Sequence, residues 1–160
     1  MKKLLTVGGV VAVLGFAQAA SAQPLRGFAF GGVTADANAQ TFPAFGGGVL
    51  VDLGQPWIAA GAQGEAFVDF PYFAGRGAVF AEGRILPRSR VRPFVLAGAG
   101  FGEGAAPLIG GGVEIRVPGN RFAFRLAIED YVWTGHVHNF GRPARKETRH
   151  NIATRIGITF

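Results

Sequence analysis

The side chains that most often perform catalysis are scarce in this sequence. Its 160 residues include no cysteine and only two serines, Ser21 and Ser89. A serine nucleophile needs a histidine within hydrogen-bonding reach to accept its proton. Ser21 lies in an N-terminal segment that we predict to be removed and Ser89 in a predicted turn, whereas the histidines occupy positions 136, 138 and 150. We therefore expect no Ser–His pair and predict that the protein is not an enzyme.

The histidines could bind a metal ion instead. His136 and His138 are two residues apart, which places both imidazoles on one side of an extended segment, and His150 could approach from the last strand. No carboxylate or cysteine is obviously positioned to complete the coordination shell. Exposed loop histidines are the simpler interpretation, and we predict neither a metal nor a cofactor.

Charged residues recur at alternate positions of apolar segments. The acidic members are Asp52, Glu65, Glu82, Glu114 and Glu129, and the basic members are Arg84, Arg92, Arg116, Arg125 and Arg155. In nearly every segment these charges lie on the opposite face from Ile, Val and Phe. Alternation with a period of two predicts β-strands with one apolar and one charged face.

The elements that carry these charges are eight predicted strands. They span residues 27–34, 45–53, 57–68, 78–86, 91–101, 109–117, 122–131 and 151–160. Tight turn signals at 54–56, 87–89 and 119–120 alternate with longer connections, the pattern of an up-and-down barrel. In the first strand we expect Phe28 and Phe30 to face outward. The 26 glycines argue against a helical protein.

The N-terminus has the features of an export signal. Lys2 and Lys3 precede an apolar run from Leu4 to Phe16 that is too short to span a bilayer comfortably. Ala20-Ser21-Ala22 then forms a small-x-small cleavage pattern. We predict a cleaved signal peptide at residues 1–22, export through the Sec pathway, and one domain at residues 23–160. A membrane anchor is the alternative.

The signal, the eight alternating segments, the run Arg92-Pro93-Phe94 before a glycine-rich strand, and Phe160 together resemble small bacterial outer-membrane β-barrel proteins of the OmpA/OmpX type. The resemblance implies an all-β, eight-stranded antiparallel transmembrane up-and-down β-barrel in the outer membrane. It also implies that Ile156, Ile158 and Phe160 form a C-terminal signal for the barrel assembly machinery. The soluble peptidoglycan-binding domain of full-length OmpA has no counterpart here, so that function is not carried over.

An eight-stranded barrel has an interior that side chains just fill. Five inward acids and five inward bases would cancel, and enclosed charges must be paired. Loss of Lys2 and Lys3 lowers the net charge from +6 to +4, which would then lie in turns and loops. A static polar core and a gated pore whose ion pairs exchange both fit this pattern.

Four basic residues cluster before the last strand. Arg142, Arg145, Lys146 and Arg149 could bind lipopolysaccharide phosphates, or could simply be solvated. We expect outer-membrane lipid as the surroundings, no nucleic acid, and a monomer. The leading hypothesis is a closed barrel with a structural or surface-interaction role; a gated small pore and a soluble, exported, lipocalin-like ligand-binding barrel are the alternatives.

Aromatic residues at the loop ends of strands predict a membrane-interface girdle. They are Phe70, Tyr72, Phe73, Tyr131 and Trp133. At the opposite end, a two-residue turn at Gly119-Asn120, with both residues at positive φ, would pair Glu114 with Arg125 and Arg116 with Ala123. Exchanging the charges of Glu114 and Arg125 should then preserve their ion pair.

Overall fold

Eight antiparallel strands form a closed barrel in which each strand pairs with its sequence neighbours and the last pairs with the first. The computed structural model describes residues 25–36, 40–69, 72–102, 104–137 and 145–160. Its strands are β1 (Leu25–Ala35), β2 (Thr41–Asp52), β3 (Ile58–Asp69), β4 (Tyr72–Arg84), β5 (Val91–Phe101), β6 (Ala105–Arg116), β7 (Ala123–Val137) and β8 (Arg145–Thr159). The predicted all-β, eight-stranded antiparallel barrel is confirmed. The predicted signal peptide lies outside the described residues.

The apolar and polar faces of the strands match the predicted alternation from β2 to β8. Large side chains such as Val95, Ile128 and Ile156 point outward and are 57%, 59% and 63% exposed. The opposite faces are buried inside the barrel. Within the described residues, no helix is long and apolar enough to cross a membrane.

The first strand faces the other way from the prediction. Phe28 is only 4% exposed, and Phe30 packs against the buried core instead of facing outward. Gly46 and Gly48 lie directly opposite these rings on β2, where an added Cβ would come within 2.8 Å of Phe30 and 2.7 Å of Phe28. The rings therefore fill interior space that glycines leave open.

This pairing of rings with glycines recurs around the barrel. Phe80 lies opposite Gly61, and Phe94 lies opposite Gly112. A Cβ at Gly61 would approach Phe80 Cε2 to 2.6 Å, and one at Gly112 would approach Phe94 Cζ to 2.8 Å. In a narrow lumen, an inward ring can thus occupy the space over a glycine on the next strand.

Three tight turns lie at one end of the barrel, which we call the turn end; the opposite end is the loop end. At the β6–β7 turn, the Asn120 amide donates to the Val117 carbonyl over 3.2 Å, and Gly119 has a φ of 74°. Pro118 and Gly119 therefore occupy the middle of the turn, as in a type II turn. Asn120 does not have the expected positive φ, but the predicted register is confirmed: Glu114 pairs with Arg125 and Arg116 with Ala123.

At the loop end, two strands run further than predicted. β7 and β8 each contain 15 residues, and their ladder continues to Val137 opposite Arg145. Much of the connection expected between the predicted strands at 122–131 and 151–160 is therefore strand. In the same way, β4 begins at Tyr72, so Arg76 lies within a strand and not in a loop.

Candidate functional site in the barrel interior

The interior holds two networks of ion pairs, one toward each end. The turn-side network is centred on Glu82, which accepts hydrogen bonds from Arg84 Nε at 2.8 Å and Arg125 Nη2 at 2.6 Å. Arg84 also donates to Asp52 at 2.7 Å, and Asp52 accepts a second bond from Arg26 at 3.1 Å. Because each carboxylate meets more than one guanidinium, the charges are compensated despite their burial.

The turn-side network continues to Glu114, which is 2% exposed. Arg92 forms its closest ion pair, Arg26 lies 3.5 Å away and Arg125 lies 3.8 Å away. The Thr159 hydroxyl donates to the same carboxylate over 3.3 Å. Arg125 is thus opposite Glu114 in the ladder, but its shorter ion pair is with Glu82 on β4.

The loop-side network is centred on Glu65, Glu129 and Arg155. Arg155 forms ion pairs with both carboxylates, and Arg76 Nη2 donates to Glu65 over 2.8 Å. The Thr34 hydroxyl also donates to Glu65, over 3.0 Å.

Neutral side chains complete the loop-side network. Gln63 Nε2 donates to Glu129 over 2.7 Å, and the Tyr131 hydroxyl lies 3.3 Å from the same carboxylate oxygen. Arg155 in turn donates to the Tyr131 hydroxyl over 3.1 Å. The network therefore joins β3, β7 and β8 across the lumen.

Aromatic rings cover the guanidinium groups in both networks. The guanidinium carbon of Arg125 lies 3.8 Å from the ring centroid of Phe94, and that of Arg76 lies 3.8 Å from Tyr131. Arg155 lies 4.4 Å from Phe30. Such cation–π contacts stabilise cations that have lost their hydration, which explains why the inward rings and arginines occur together.

The barrel is occluded between the two networks. The void between Arg125 and Arg155 has a volume of about 10 Å³. A cavity of that size holds about one water molecule. Among the described residues, side chains of the two networks therefore fill the lumen at this level.

The interior contains more positive charge than the sequence predicted. Arg116 is exposed at the end of β6, although its position in the ladder is inward, because the strand ends at the barrel mouth. Two arginines that the sequence interpretation missed, Arg26 and Arg76, lie inside. Five carboxylates therefore meet six arginines, and the prediction of a balanced interior is wrong.

Each missed residue had a signal in the sequence. Arg76 shares the even-numbered face of β4 with Glu82 and Arg84 and was hidden only because it was assigned to a loop. Arg26 shares the even-numbered face of β1 with Phe28, which was predicted to face outward but faces inward.

Two residues of the aromatic girdle predicted at the loop end lie inside the barrel instead. Tyr131 is 1% exposed and Trp133 packs against the core, so both belong to the interior. They share the odd-numbered face of β7 with Arg125 and Glu129, which fixes their direction. Phe70 lies outside the described residues, as do the side chains of Tyr72 and Phe73.

Among the described side chains, His150 and Ser89 lie at opposite ends of the barrel. His150 Nδ1 lies 2.7 Å from Asp130 Oδ2 on the outer face near the loop end. Ser89 lies in the β4–β5 turn, where its Oγ accepts a hydrogen bond from the Val91 amide over 3.3 Å. His138 lies outside the described residues, as does the side chain of His136. Among the described residues, no group of three histidine or carboxylate side chains could hold a metal ion.

The basic cluster near the loop end is only partly described. Arg142 lies outside the described residues, as do the side chains of Arg145 and Lys146, whose backbones belong to β8. Arg149 is exposed and pairs with Trp133 in the ladder.

The last residues close the barrel. Ile156, Ile158 and Phe160 point outward and are 63%, 45% and 56% exposed. The backbone of Phe160 makes two hydrogen bonds with Gly27, of 2.9 and 2.8 Å, and these extend the β1–β8 ladder. The Phe160 ring lies over Gly27, where an added Cβ would meet it at 2.6 Å.

A closed eight-stranded barrel with an apolar exterior and a charge-paired interior is the fold of small outer-membrane barrels of the OmpA/OmpX type. The chain is similar in structure to the N-terminal β-barrel domain of Pseudomonas aeruginosa OprF, with a TM-score of 0.57, 14% identity, and coverage of 85% of this chain and 96% of that one. It is also similar to Neisserial surface protein A, with a TM-score of 0.54, 8% identity, and coverage of 84% and 94%. No protein-family model and no curated protein sequence matches the chain. At these identities the similarity is one of fold.

Proposed function

We propose that the protein is an integral protein of the bacterial outer membrane, closed to solutes and without catalytic activity, whose role is structural or lies in surface interactions. The observation that carries this proposal is the apolar exterior. Large hydrophobic side chains are exposed on strands all around the barrel, among them Phe45, Val79, Val95, Ile109 and Ile156. Water-soluble monomers rarely expose so large a continuous apolar surface.

The interior argues against a soluble ligand-binding barrel. A lipocalin-like protein would point its apolar face inward, around an apolar ligand. Here the lumen contains eleven charged side chains, five carboxylates and six arginines, and a central void of about 10 Å³. An apolar ligand would have to break these buried ion pairs and leave their charges without partners.

The two ends of the barrel support an orientation. Short turns typically face the periplasm and longer connections face the cell exterior. Trp57, Phe122 and Phe160 are more than half exposed at the turn end, as expected of an aromatic girdle at the periplasmic interface. In this orientation Arg142, Arg145, Lys146 and Arg149 belong to the outer surface, where contact with lipopolysaccharide phosphates is part of the proposal.

Two equally exposed residues provide a direct test. Ile128 is 59% exposed in the middle of the apolar exterior, and Leu86 is 62% exposed in the β4–β5 turn. In a membrane barrel, Ile128→Arg places a charge in the hydrocarbon, which costs about 2–4 kcal/mol at the midplane. Leu86→Arg places the same charge at the interface and should be tolerated.

The measurement is outer-membrane fractionation combined with gel migration before and after boiling. A folded barrel resists detergent because it has no open strand edge, so the wild type and Leu86→Arg should sediment with outer membranes and shift on boiling. Ile128→Arg should show much less of the folded form. Recovery of the wild type in the soluble periplasmic fraction, or equal tolerance of both substitutions, would contradict the proposal.

A further inference from the structure

We propose that the turn end binds anionic phospholipid headgroups of the periplasmic leaflet through four arginines: Arg88, Arg90, Arg116 and Arg121. We call these four residues the arginine rim. The inference rests on the proposed membrane location and adds a preference for one class of lipid at one end of the barrel.

The arginine rim is exposed and lacks nearby acids. All four side chains are exposed, and none forms an ion pair among the described residues. The turn segments 53–57, 85–90 and 117–122 contain no Asp or Glu. The carboxylates of this half are inside the barrel, where the arginines of the turn-side network already engage them.

The charge of the chain is therefore unevenly distributed. The turn-side half contains eight arginines, at positions 26, 84, 88, 90, 92, 116, 121 and 125, against three carboxylates, at 52, 82 and 114, a surplus of five positive charges. The remainder of residues 23–160 contains six basic and seven acidic residues, a deficit of one. The net charge of +4 thus arises entirely from the turn-side half. A surplus of positive charge next to the periplasmic leaflet attracts anionic headgroups.

The rim occupies one sector and lies at headgroup level. The Arg116 amide donates to the Arg90 carbonyl over 2.9 Å, which joins the end of β6 to the β4–β5 turn. Arg90 precedes Val91 and Arg121 precedes Phe122, and these two apolar side chains are 44% and 52% exposed at the edge of the apolar exterior. An arginine beside a membrane-embedded side chain can extend its guanidinium to the phosphate layer, where its paired N–H groups match phosphate oxygens.

The tryptophans provide a local reporter. Trp57 is 52% exposed at the turn end, and its carbonyl accepts a hydrogen bond from the Arg84 amide over 2.8 Å, which holds it close to the β4–β5 turn. Trp133, the other tryptophan, packs in the interior and can be removed as Trp133→Phe. In that background, fluorescence reports the lipids around Trp57.

The experiment uses the protein folded into vesicles of equal parts phosphatidylcholine and phosphatidylglycerol, with one lipid at a time brominated near the headgroup. Brominated phosphatidylglycerol should quench Trp57 more strongly, with a local enrichment of about fivefold or more, since one arginine near an anionic surface contributes about a factor of five. R88Q/R90Q/R121Q should clearly lower the enrichment, because Arg116 is then the one rim arginine that remains. R142Q/R145Q/K146Q removes the same charge near the other end and should leave it unchanged.

The outcomes separate this inference from the proposed function. Equal quenching by the two lipids in the Trp133→Phe protein with all its arginines, or an equal loss of enrichment in both triple variants, overturns the lipid preference. An acidic protein as the true partner would give that equal quenching. Insertion is measured in the same samples by the gel shift on boiling, so a protein that never inserts overturns the membrane proposal itself.

Discussion

Arg125 lies between two carboxylates, and the choice between them depends on side-chain reach. Glu114 is its ladder neighbour on β6, but the ion-pair distance to Glu114 is 3.8 Å and the distance to Glu82 on β4 is 2.6 Å. A long guanidinium side chain crosses the lumen as easily as it reaches the next strand. The Phe94 ring beneath it, at 3.8 Å, holds it in this position.

We predict that Arg125→Ala lowers the free energy of unfolding by about 3–5 kcal/mol, because it breaks the buried ion pair with Glu82 and leaves that carboxylate with Arg84 alone. A double-mutant cycle in urea should give a larger coupling energy for Glu82 with Arg125 than for Glu114 with Arg125. Arg116→Ala is the control: its side chain is exposed, and the change should stay within about 0.5 kcal/mol.

The same geometry changes the expected result of a charge exchange. Glu114→Arg combined with Arg125→Glu would place a new carboxylate beside Glu82, so the exchange should not restore stability. A larger coupling energy of Arg125 with Glu114 than with Glu82, or full recovery of stability in the exchange variant, would show that Arg125 pairs mainly with Glu114, its ladder neighbour.

At the level of the strands, packing depends on small residues opposite rings. We predict that Gly61→Ala destabilises the barrel by about 1–3 kcal/mol, the usual cost of overpacking. The added Cβ would lie 2.6 Å from Phe80 Cε2 and 2.9 Å from Leu50 Cδ2, both side-chain atoms that a second substitution can remove. Phe80→Leu should therefore recover part of the loss in the double variant.

Gly64→Ala on the same strand is the matched control, because a Cβ there meets nothing within 4 Å. Urea unfolding of the four proteins measures the effect. Equal stability of the Gly61 and Gly64 variants would mean that the Phe80 ring moves aside without cost.

The closing strand carries the proposed assembly signal. We predict that Phe160→Ala strongly reduces the amount of heat-modifiable barrel in outer membranes without changing export. The substitution removes the ring that covers Gly27 on the outer surface, whereas the two backbone hydrogen bonds to Gly27 remain possible. Leu25→Ala removes a side chain that is 50% exposed at the same end and should have a small effect. Similar levels of assembled protein in both variants would contradict a signal at Phe160.

For the whole molecule, occlusion between the two networks has a measurable consequence. We expect the wild-type protein to show no conductance steps in planar bilayers, since the central void holds about one water molecule. Arg125→Ala combined with Arg155→Ala removes the guanidiniums on either side of that void and should introduce conductance, which also demonstrates insertion. Frequent openings of the wild type would favour the gated pore.

The sequence by itself determined the strands, their inward and outward faces from β2 to β8, and the register of β6 with β7. These properties are local: alternation has a period of two along one strand, and a short connection fixes how two neighbours pair. The turn at residues 117–122 is an example. Its type differed from the prediction, but the residues that it pairs on β6 and β7 are the predicted ones.

Only the tertiary structure decided the direction of β1 and with it that of Arg26, the early start of β4 that places Arg76 inside, and the partner of Arg125. It also decided that the positive surplus lies at the turn end. The direction of β1 and the partner of Arg125 both involve strands that are distant in the chain, since Arg125 on β7 lies against Phe28 on β1 and pairs with Glu82 on β4. Phe28 faces inward because Gly48 leaves room for it and Arg125 lies 5.5 Å from its ring, and only closure of the barrel brings β1, β2 and β7 around the same lumen.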